Sequence, residues 1–254
     1  HATFLVQYRD VNLLTDPHFS ERASPYSFTG PKRLVPLPLR LDQLPAIDYV
    51  LISHNHYDQL DEETVRALGN GPHWLVPLKL KALLMEWGVM DSQITELDWW
   101  QQTSQEAITF TATPAHHWSA RGLFDRNRTL WSSWMVEMHG FRFWFGGDTA
   151  YNPVHFKQIG ERFRGVDMAL IPIGAYSPRW FMQNSHVTPE EAVRIHQEIA
   201  SRHSLGMHWG TFQLTSEPML EPPQRLADAL QAATRSTAPF EVLAIGEIRQ
   251  ISIH

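Results

Sequence analysis

The chain has 254 residues, 43% hydrophobic and 19% charged, enough for one large α/β domain with a substantial core. Its formal charge of −6 and the lack of any long basic run exclude a general nucleic-acid binder. Cysteine is absent, which excludes disulfides, thiolate metal sites and cysteine nucleophiles, and no apolar stretch reaches the roughly eighteen residues of a membrane span. Fourteen histidines point to metal or acid–base work, and ten tryptophans to a Trp-rich core or an apolar groove.

From the start of the chain, Ala2 to Gln7 is β-rich and predicts a strand. His1 beside it, read singly, is a surface residue, although a place near a metal site is open to it. Asp10 to Ala46 holds Pro17, Pro25, Pro31, Pro36, Pro38 and Pro45, a density that predicts an irregular connection. Its Phe19, Tyr26 and Phe28 either line a groove or pack the loop onto the core. Tyr49 to Ile52 then reads as a buried strand, and Asp61-Glu62-Glu63 as a helix start with Asp61 at the N-cap. Between them lies Ser53-His54-Asn55-His56-Tyr57-Asp58-Gln59-Leu60-Asp61. Alternate residues of an extended loop point the same way, so His54 and His56 converge on one ion while Asp58 reaches a neighbouring one. Nitrogen and oxygen ligands of this kind suit zinc and similar divalent metals.

His54-x-His56-x-Asp58 resembles the His-x-His-x-Asp-His signature of the metallo-β-lactamase superfamily. The longer string from Ser53 to Asp61 resembles the branch that contains N-acylphosphatidylethanolamine phospholipase D and its bacterial relatives. The resemblance implies a four-layer αββα sandwich, with residues 1–254 as a single hydrolase domain that lacks an N-terminal segment. One position departs from the pattern: Gln59 stands where the family has histidine.

Farther along, helices are predicted over Glu62 to Leu68 and Leu78 to Trp87, and strands over Trp74 to Val76, Ile94 to Trp99 and Ile108 to Ala112. The segment Thr113 to Gly122 contains His116 and His117, which chemistry alone does not separate. Similarity to the family's Pro-Ala-x-His-Trp segment assigns the ligand role to His117. Arg121, Arg126 and Arg128 bring positive charge that suits a phosphate-bearing substrate, or are solvated loop residues. Strands over Trp131 to Met138 and Phe141 to Phe145 meet at His139-Gly140, and the second ends in Gly146-Gly147-Asp148. The resemblance makes Asp148 the carboxylate that bridges two metals. After a strand over Met168 to Ile171, a loop from Pro172 to Val187 carries Tyr176, a candidate substrate contact with Arg121 and Arg126. It also carries His186, which matches a histidine at the family's active-site rim. Thr188-Pro189-Glu190-Glu191 opens a helix expected to reach Arg202 or His203. The segment Leu205 to Gly210 reads as a strand ending near His208, which the resemblance assigns to the second metal. A helix over Pro223 to Thr234 and strands near Val242 to Ala244 and Ile248 to Ile253 complete the expectations.

The residues sort into one site of His54, His56 and His117 and another of Asp58, Gln59 and His208, bridged by Asp148. The resemblance implies Zn2+ at both, the second weaker, filled through water or tuned to a harder metal because of Gln59. It implies metal-dependent hydrolysis by a metal-bound hydroxide that Asp58 orients, with His186 at the rim, acting on a lipid phosphodiester of the N-acylphosphatidylethanolamine kind. A sugar-phosphate lactonase of the same superfamily and a non-catalytic, degenerate member are the alternatives. Peripheral membrane contact is consistent with such a substrate, and a cytoplasmic or peripheral membrane location is favoured.

Overall fold

The fold, described for residues 1–233 and 238–252 by a computed structural model, is built from short strands, the central ones apolar on both faces. β1 (Phe4–Tyr8) and β2 (Val11–Thr15) form an antiparallel hairpin. β3 (Tyr49–Leu51), β4 (His73–Pro77) and β5 (Ile94–Leu97) extend it in parallel, in sequence order. A second sheet begins with the antiparallel run β6 (Gln102–Gln105), β7 (Ile108–Thr113), β8 (Ser133–Met138) and β9 (Phe141–Phe145). It continues in parallel through β10 (Met168–Pro172), β11 (Ser204–Met207) and β12 (Phe240–Glu241). The helices are α1 (Glu62–Leu68), α2 (Lys81–Glu86), α3 (His155–Phe163), α4 (Arg179–Met182), α5 (Pro189–Glu198) and α6 (Glu221–Ala232).

Successive strand residues face opposite sides, so consecutive apolar residues fill different layers. Leu13, Leu51 and Leu75 of the first sheet meet Phe110, Trp134, Phe143 and Leu170 of the second. Their neighbours Leu14, Val50, Trp74 and Val76 face outward onto Val65 of α1 and Leu84 of α2. On the far side, Met135, Trp144 and Ile171 pack against Phe156 and Ile159 of α3 and Ala192 and Ile195 of α5. The layers therefore run helix, sheet, sheet, helix, as expected. Each large side chain in the inter-sheet layer, such as Phe143, carries about 3–5 kcal/mol against truncation to alanine. No helix among the described residues is long and apolar enough to cross a membrane.

Local differences from the sequence expectations have physical causes. β2 lies inside the stretch read as irregular: its five residues sit ahead of the first proline and pair with β1 through a turn at Arg9, whose φ is 54°. The expected helix at Leu78 begins only at Lys81, because Lys79 adopts a left-handed φ of 69°. α5 keeps its capping box between Thr188 and Glu191, but ends at Glu198, short of Arg202, and Ala200 turns left-handed at 50°. Asp61 does occupy the N-cap of α1, yet its carboxylate accepts from Ser20, from the backbone of Phe19 and from the Thr64 hydroxyl, and from no backbone N–H of the helix. The polar strand β6 and the short α4 are unforeseen. Residues 242–252 contain no strand. The expected helix end at Thr234 and strand end at Ile253 lie outside the described residues.

His196 of α5 is buried, its Nδ1 2.7 Å from Ser204 Oγ and its ring stacked on Phe240. Burial pushes its pKa down to about 4 from an ordinary 6.5. The fold thus favours neutral His196, and the stability it contributes is complete above pH 6.5 and is lost as the pH falls toward 4. In chelator-treated protein, urea unfolding should show the parent losing on the order of 2–3 kcal/mol more than His196→Gln between pH 7 and pH 4. Equal losses would remove His196 as the cause.

Candidate metal centre

Five strand ends supply the polar cluster. Asp16 follows β2, His54 follows β3, His117 follows β7, Asp148 follows β9 and His208 follows β11. The chain must crowd closely here, and two glycines permit it. A Cβ on Gly147, whose φ is 57°, would lie 2.6 Å from Ser53 Cβ, and one on Gly174 would lie 2.2 Å from the His208 carbonyl. His208 itself holds a left-handed φ of 61°, an uncommon backbone state of the kind that packed surroundings must enforce.

His54 Nε2 lies 2.8 Å from His56 Nδ1, and His117 Nε2 lies 3.3 Å from the same nitrogen. Asp148 Oδ2 stands 3.7 Å from His54 Nε2 and 3.8 Å from His117 Nε2. The other oxygen, Asp148 Oδ1, faces away from them and lies 3.1 Å from His208 Nε2. Asp58 Oδ2 approaches the same His208 nitrogen at 3.3 Å. Four-coordinate zinc, with bonds of about 2.0–2.1 Å, separates neighbouring ligand atoms by roughly 3.3 Å. The observed spacings scatter around that value. The residues present therefore fit two divalent ions sharing the Asp148 carboxylate.

Electrostatics agree. Burial alone would raise both carboxyls, but the facing His208 outweighs it and holds Asp58 and Asp148 below the usual carboxylate range. Burial also opposes charge on His208, yet Asp148 and Asp58 push it up to about 10. Burial keeps His54 and His117 well below their ordinary value, and so neutral and ready to donate lone pairs. The cluster thus presents two anions and several neutral imidazoles, a set completed by cations.

The imidazoles are oriented from behind. His117 Nδ1 donates to the Ser185 carbonyl at 2.8 Å, which leaves Nε2 facing the cluster. Its neighbour His116 is exposed, so the fold separates the pair that chemistry did not. Ser53 donates its backbone N–H to Asp16 Oδ1 at 2.7 Å and its hydroxyl to Asp16 Oδ2, while its Oγ sits 2.8 Å from His54 Nδ1. Asp16 was not foreseen as a site residue. An acid directly after the apolar pair Leu13-Leu14 and Thr15 was its only sequence signal. Burial pushes its carboxyl well up, against the Ser53 donors.

His186 lies at the rim, its ring 5.1 Å from that of His117 and 5.2 Å from that of His208. Burial drives its pKa down to about 4. Arg179 holds it in place by donating to its carbonyl at 2.7 Å while pairing with Glu191.

The three candidate substrate contacts part company. Arg121 donates to the carbonyls of Asn55 and Leu60 at 3.0 and 2.6 Å and lies over the rings of Tyr57 and Trp87. It braces the metal loop. The buried Tyr176 gives its hydroxyl to Glu221 at 2.6 Å, which anchors it to α6. Arg126 stacks over Trp118 at 4.2 Å, and Trp118 in turn lies 4.2 Å from the His56 ring. Of the loop aromatics, Phe19 packs onto the core, whereas Tyr26 lines a groove of about 780 Å³ beside Asn55 and Tyr57.

Gln59 is fully buried. Its Nε2 donates to Asp58 Oδ2 at 3.0 Å and reaches both Asp148 oxygens at 3.4 Å, while its Oε1 has no partner. His1 is not the surface residue its position suggested: its side chain is 4% exposed, with Nε2 2.8 Å from Asp58 Oδ2.

Residues 11–209 match the beta-lactamase superfamily domain. The chain is 42% identical over 264 residues to N-acyl-phosphatidylethanolamine-hydrolyzing phospholipase D 1 of Caenorhabditis elegans, covering 99% of this chain and 74% of that protein. It is 38% identical over 227 residues to the mitochondrial N-acyl-phosphatidylethanolamine-hydrolyzing phospholipase D of Saccharomyces cerevisiae. That match covers 86% of this chain and 48% of the yeast protein, so this chain spans about half the yeast protein's length. Igni18, a metallo hydrolase from Ignicoccus hospitalis, shares the fold with a TM-score of 0.69 at 22% identity, over 97% of this chain and 93% of that one.

Replacing Asp16 by alanine removes the acceptor behind Ser53 and His54. Metal affinity, measured by competition with a chromophoric chelator, should fall about 10–100-fold with the far-UV circular dichroism unchanged. Unaltered affinity would show that the Asp16–Ser53–His54 chain does not orient the ligand.

Proposed function

The chain belongs to the metallo-β-lactamase superfamily, among the relatives of the N-acyl-phosphatidylethanolamine-hydrolyzing phospholipases D, and on that premise we propose that it cleaves phosphodiester lipids of that type with two zinc ions. That it is a metal-dependent hydrolase follows from the family. The zinc, the second ion and the phosphodiester substrate are the proposal. The observation that carries it is the Asp148 carboxylate, which turns one oxygen to His54 and His117 and the other to His208.

Ions bound on the two sides would acidify water and polarise the phosphoryl oxygens. The remaining work falls to the chain. Asp58, held ionised, accepts a hydrogen bond from the attacking water and fixes its direction. His186, neutral near pH 7 and beside the His117 and His208 rings, offers its imidazole to the phosphate or to the departing headgroup oxygen. Water adds its oxygen to phosphorus, the bond from phosphorus to the N-acylethanolamine oxygen breaks, and the leaving oxygen takes up the proton. Arg126, stacked on Trp118, supplies the cation for the phosphate in this reading.

The borders of the site support a lipid. Leu123 and Phe124 are 91% and 88% exposed on the segment that carries Arg126, and Trp180 and Phe181 are 76% and 65% exposed beside His186. Apolar side chains standing free at the rim suit contact with acyl chains and with a lipid surface. They do not suit a small sugar phosphate.

Chelator-treated protein should release no phosphatidic acid from N-acylphosphatidylethanolamine in mixed micelles, and zinc should restore the release. Zinc-loaded protein that leaves the lipid intact would overturn the proposal. Arg126→Ala should raise KM about tenfold with a smaller change in kcat, as expected when a phosphate contact of about 1–2 kcal/mol is lost. An unchanged KM would take Arg126 out of substrate binding.

A further inference from the structure

His1 has no task in the reading above, yet its side chain is built into the cluster. Its ring lies 4.1 Å from the His208 ring and stands edge-on to Phe212 at 5.4 Å. Its backbone carbonyl accepts the His208 N–H at 2.9 Å, which ties the segment before β1 to the end of β11. The ligand atoms of His1, Asp58 and His208 all lie within 4.8 Å of one another. The closest pairs are His1 Nε2 to Asp58 Oδ2 at 2.8 Å and Asp58 Oδ2 to His208 Nε2 at 3.3 Å. These are the spacings of neighbouring ligands around one ion, roughly 3.3 Å for a tetrahedron.

Gln59 occupies the position where the 54–61 loop offers no imidazole. It turns its amide nitrogen to the two carboxylates and to His1 Nε2 at 3.2 Å, and an amide N–H donates hydrogen bonds but has no lone pair for a metal. We infer that His1, through Nε2, is a ligand of the second ion together with Asp58, Asp148 and His208, and that Gln59 positions the two carboxylates by hydrogen bonding. This inference rests on the two-ion reading above. It places the missing imidazole on a different segment of the chain. Four ligands, two nitrogens and two oxygens, then surround the second ion, matching the three nitrogens and one oxygen around the first.

The test uses Co2+ titrated into the metal-stripped chain, followed by elemental analysis and by the visible d–d spectrum. The parent should take two ions. His1→Ala should keep the first ion at parental affinity and bind the second about tenfold or more weakly, with a shifted second-ion band. Added imidazole should restore both affinity and band. Gln59→Ala weakens the second ion without moving the band, because no ligand atom is lost. His1→Ala that binds both ions with the parent's affinity and spectrum overturns the inference, as does a band that moves with Gln59→Ala and not with His1→Ala. Loss of both ions in His1→Ala overturns it too, since that marks a structural role, and so does a parent that saturates at one ion. Lipid hydrolysis is assayed separately. A parent that hydrolyses the lipid while His1→Ala retains two ions leaves the proposed function standing and removes His1 alone.

Discussion

Two buried carboxylates, Asp58 and Asp148, converge on one imidazole, and the rest of the site answers to that arrangement. Each ionised group taken out of water carries a penalty of several kcal/mol unless positive charge compensates it. His208 can supply one unit of charge by holding a proton. Two carboxylates and a ring of neutral histidines leave room for more positive charge, of the kind a divalent metal brings. The cluster is a donor set that could hold metal, as the family's metal dependence requires. The same cause lowers both carboxyls and raises His208: each group is stabilised in the charged form by the partner of opposite sign that the fold places within about 3 Å.

Holding such a cluster together is a task for the scaffold, not for the ligands themselves. His54, His117, Asp148 and His208 each stand past the end of a strand whose two neighbours fix its height and direction. The backbone there departs from regular geometry only where glycine or a left-handed turn permits it. Behind the ligands a second set of contacts removes the remaining freedom. Asp16 and Ser53 set His54, the Ser185 carbonyl sets His117, and Arg121 ties both ends of the metal loop through the carbonyls of Asn55 and Leu60. Asp61 extends the same logic outward, since its carboxylate fastens residues 19 and 20 to the start of α1. The irregular proline-rich segment is therefore anchored at the edge of the site although it contains almost no regular structure.

Much of this was legible in the sequence because the controlling features are local. His54, His56 and Asp58 fall within five residues, and a strand followed by a polar loop is readable from composition alone. The glycine pair ahead of Asp148 and the capping box at Thr188 are likewise short-range signals. What escaped depends on distance along the chain. The roles of Arg121 and Tyr176 are set by partners such as Leu60 and Glu221, 61 and 45 residues away, and no local pattern distinguishes a bracing arginine from a phosphate-binding one. β2 was missed because five residues beside a proline-rich stretch gain their strand character from β1 and β3. β6 was missed because an edge strand next to solvent needs no apolar pattern.

His1 and Gln59 show the same principle from the opposite side. In sequence they are 58 residues apart, and the loop around Gln59, taken alone, reads as a site with one ligand missing. In space they share Asp58: the imidazole of one lies 2.8 Å and the amide of the other 3.0 Å from the same oxygen. The β1–β2 hairpin makes this proximity possible, because pairing β2 against β3 delivers the residue before β1 to the side where the metal loop begins. A metal site assembled from strand ends has this tolerance built in. What the ion requires is a donor atom at a point in space, and several loops end near each point. A substitution in one loop therefore does not by itself empty the site, provided that another segment already stands within a bond length or two of the vacant corner. Gln59 meets that condition only because its amide still serves the carboxylates that remain.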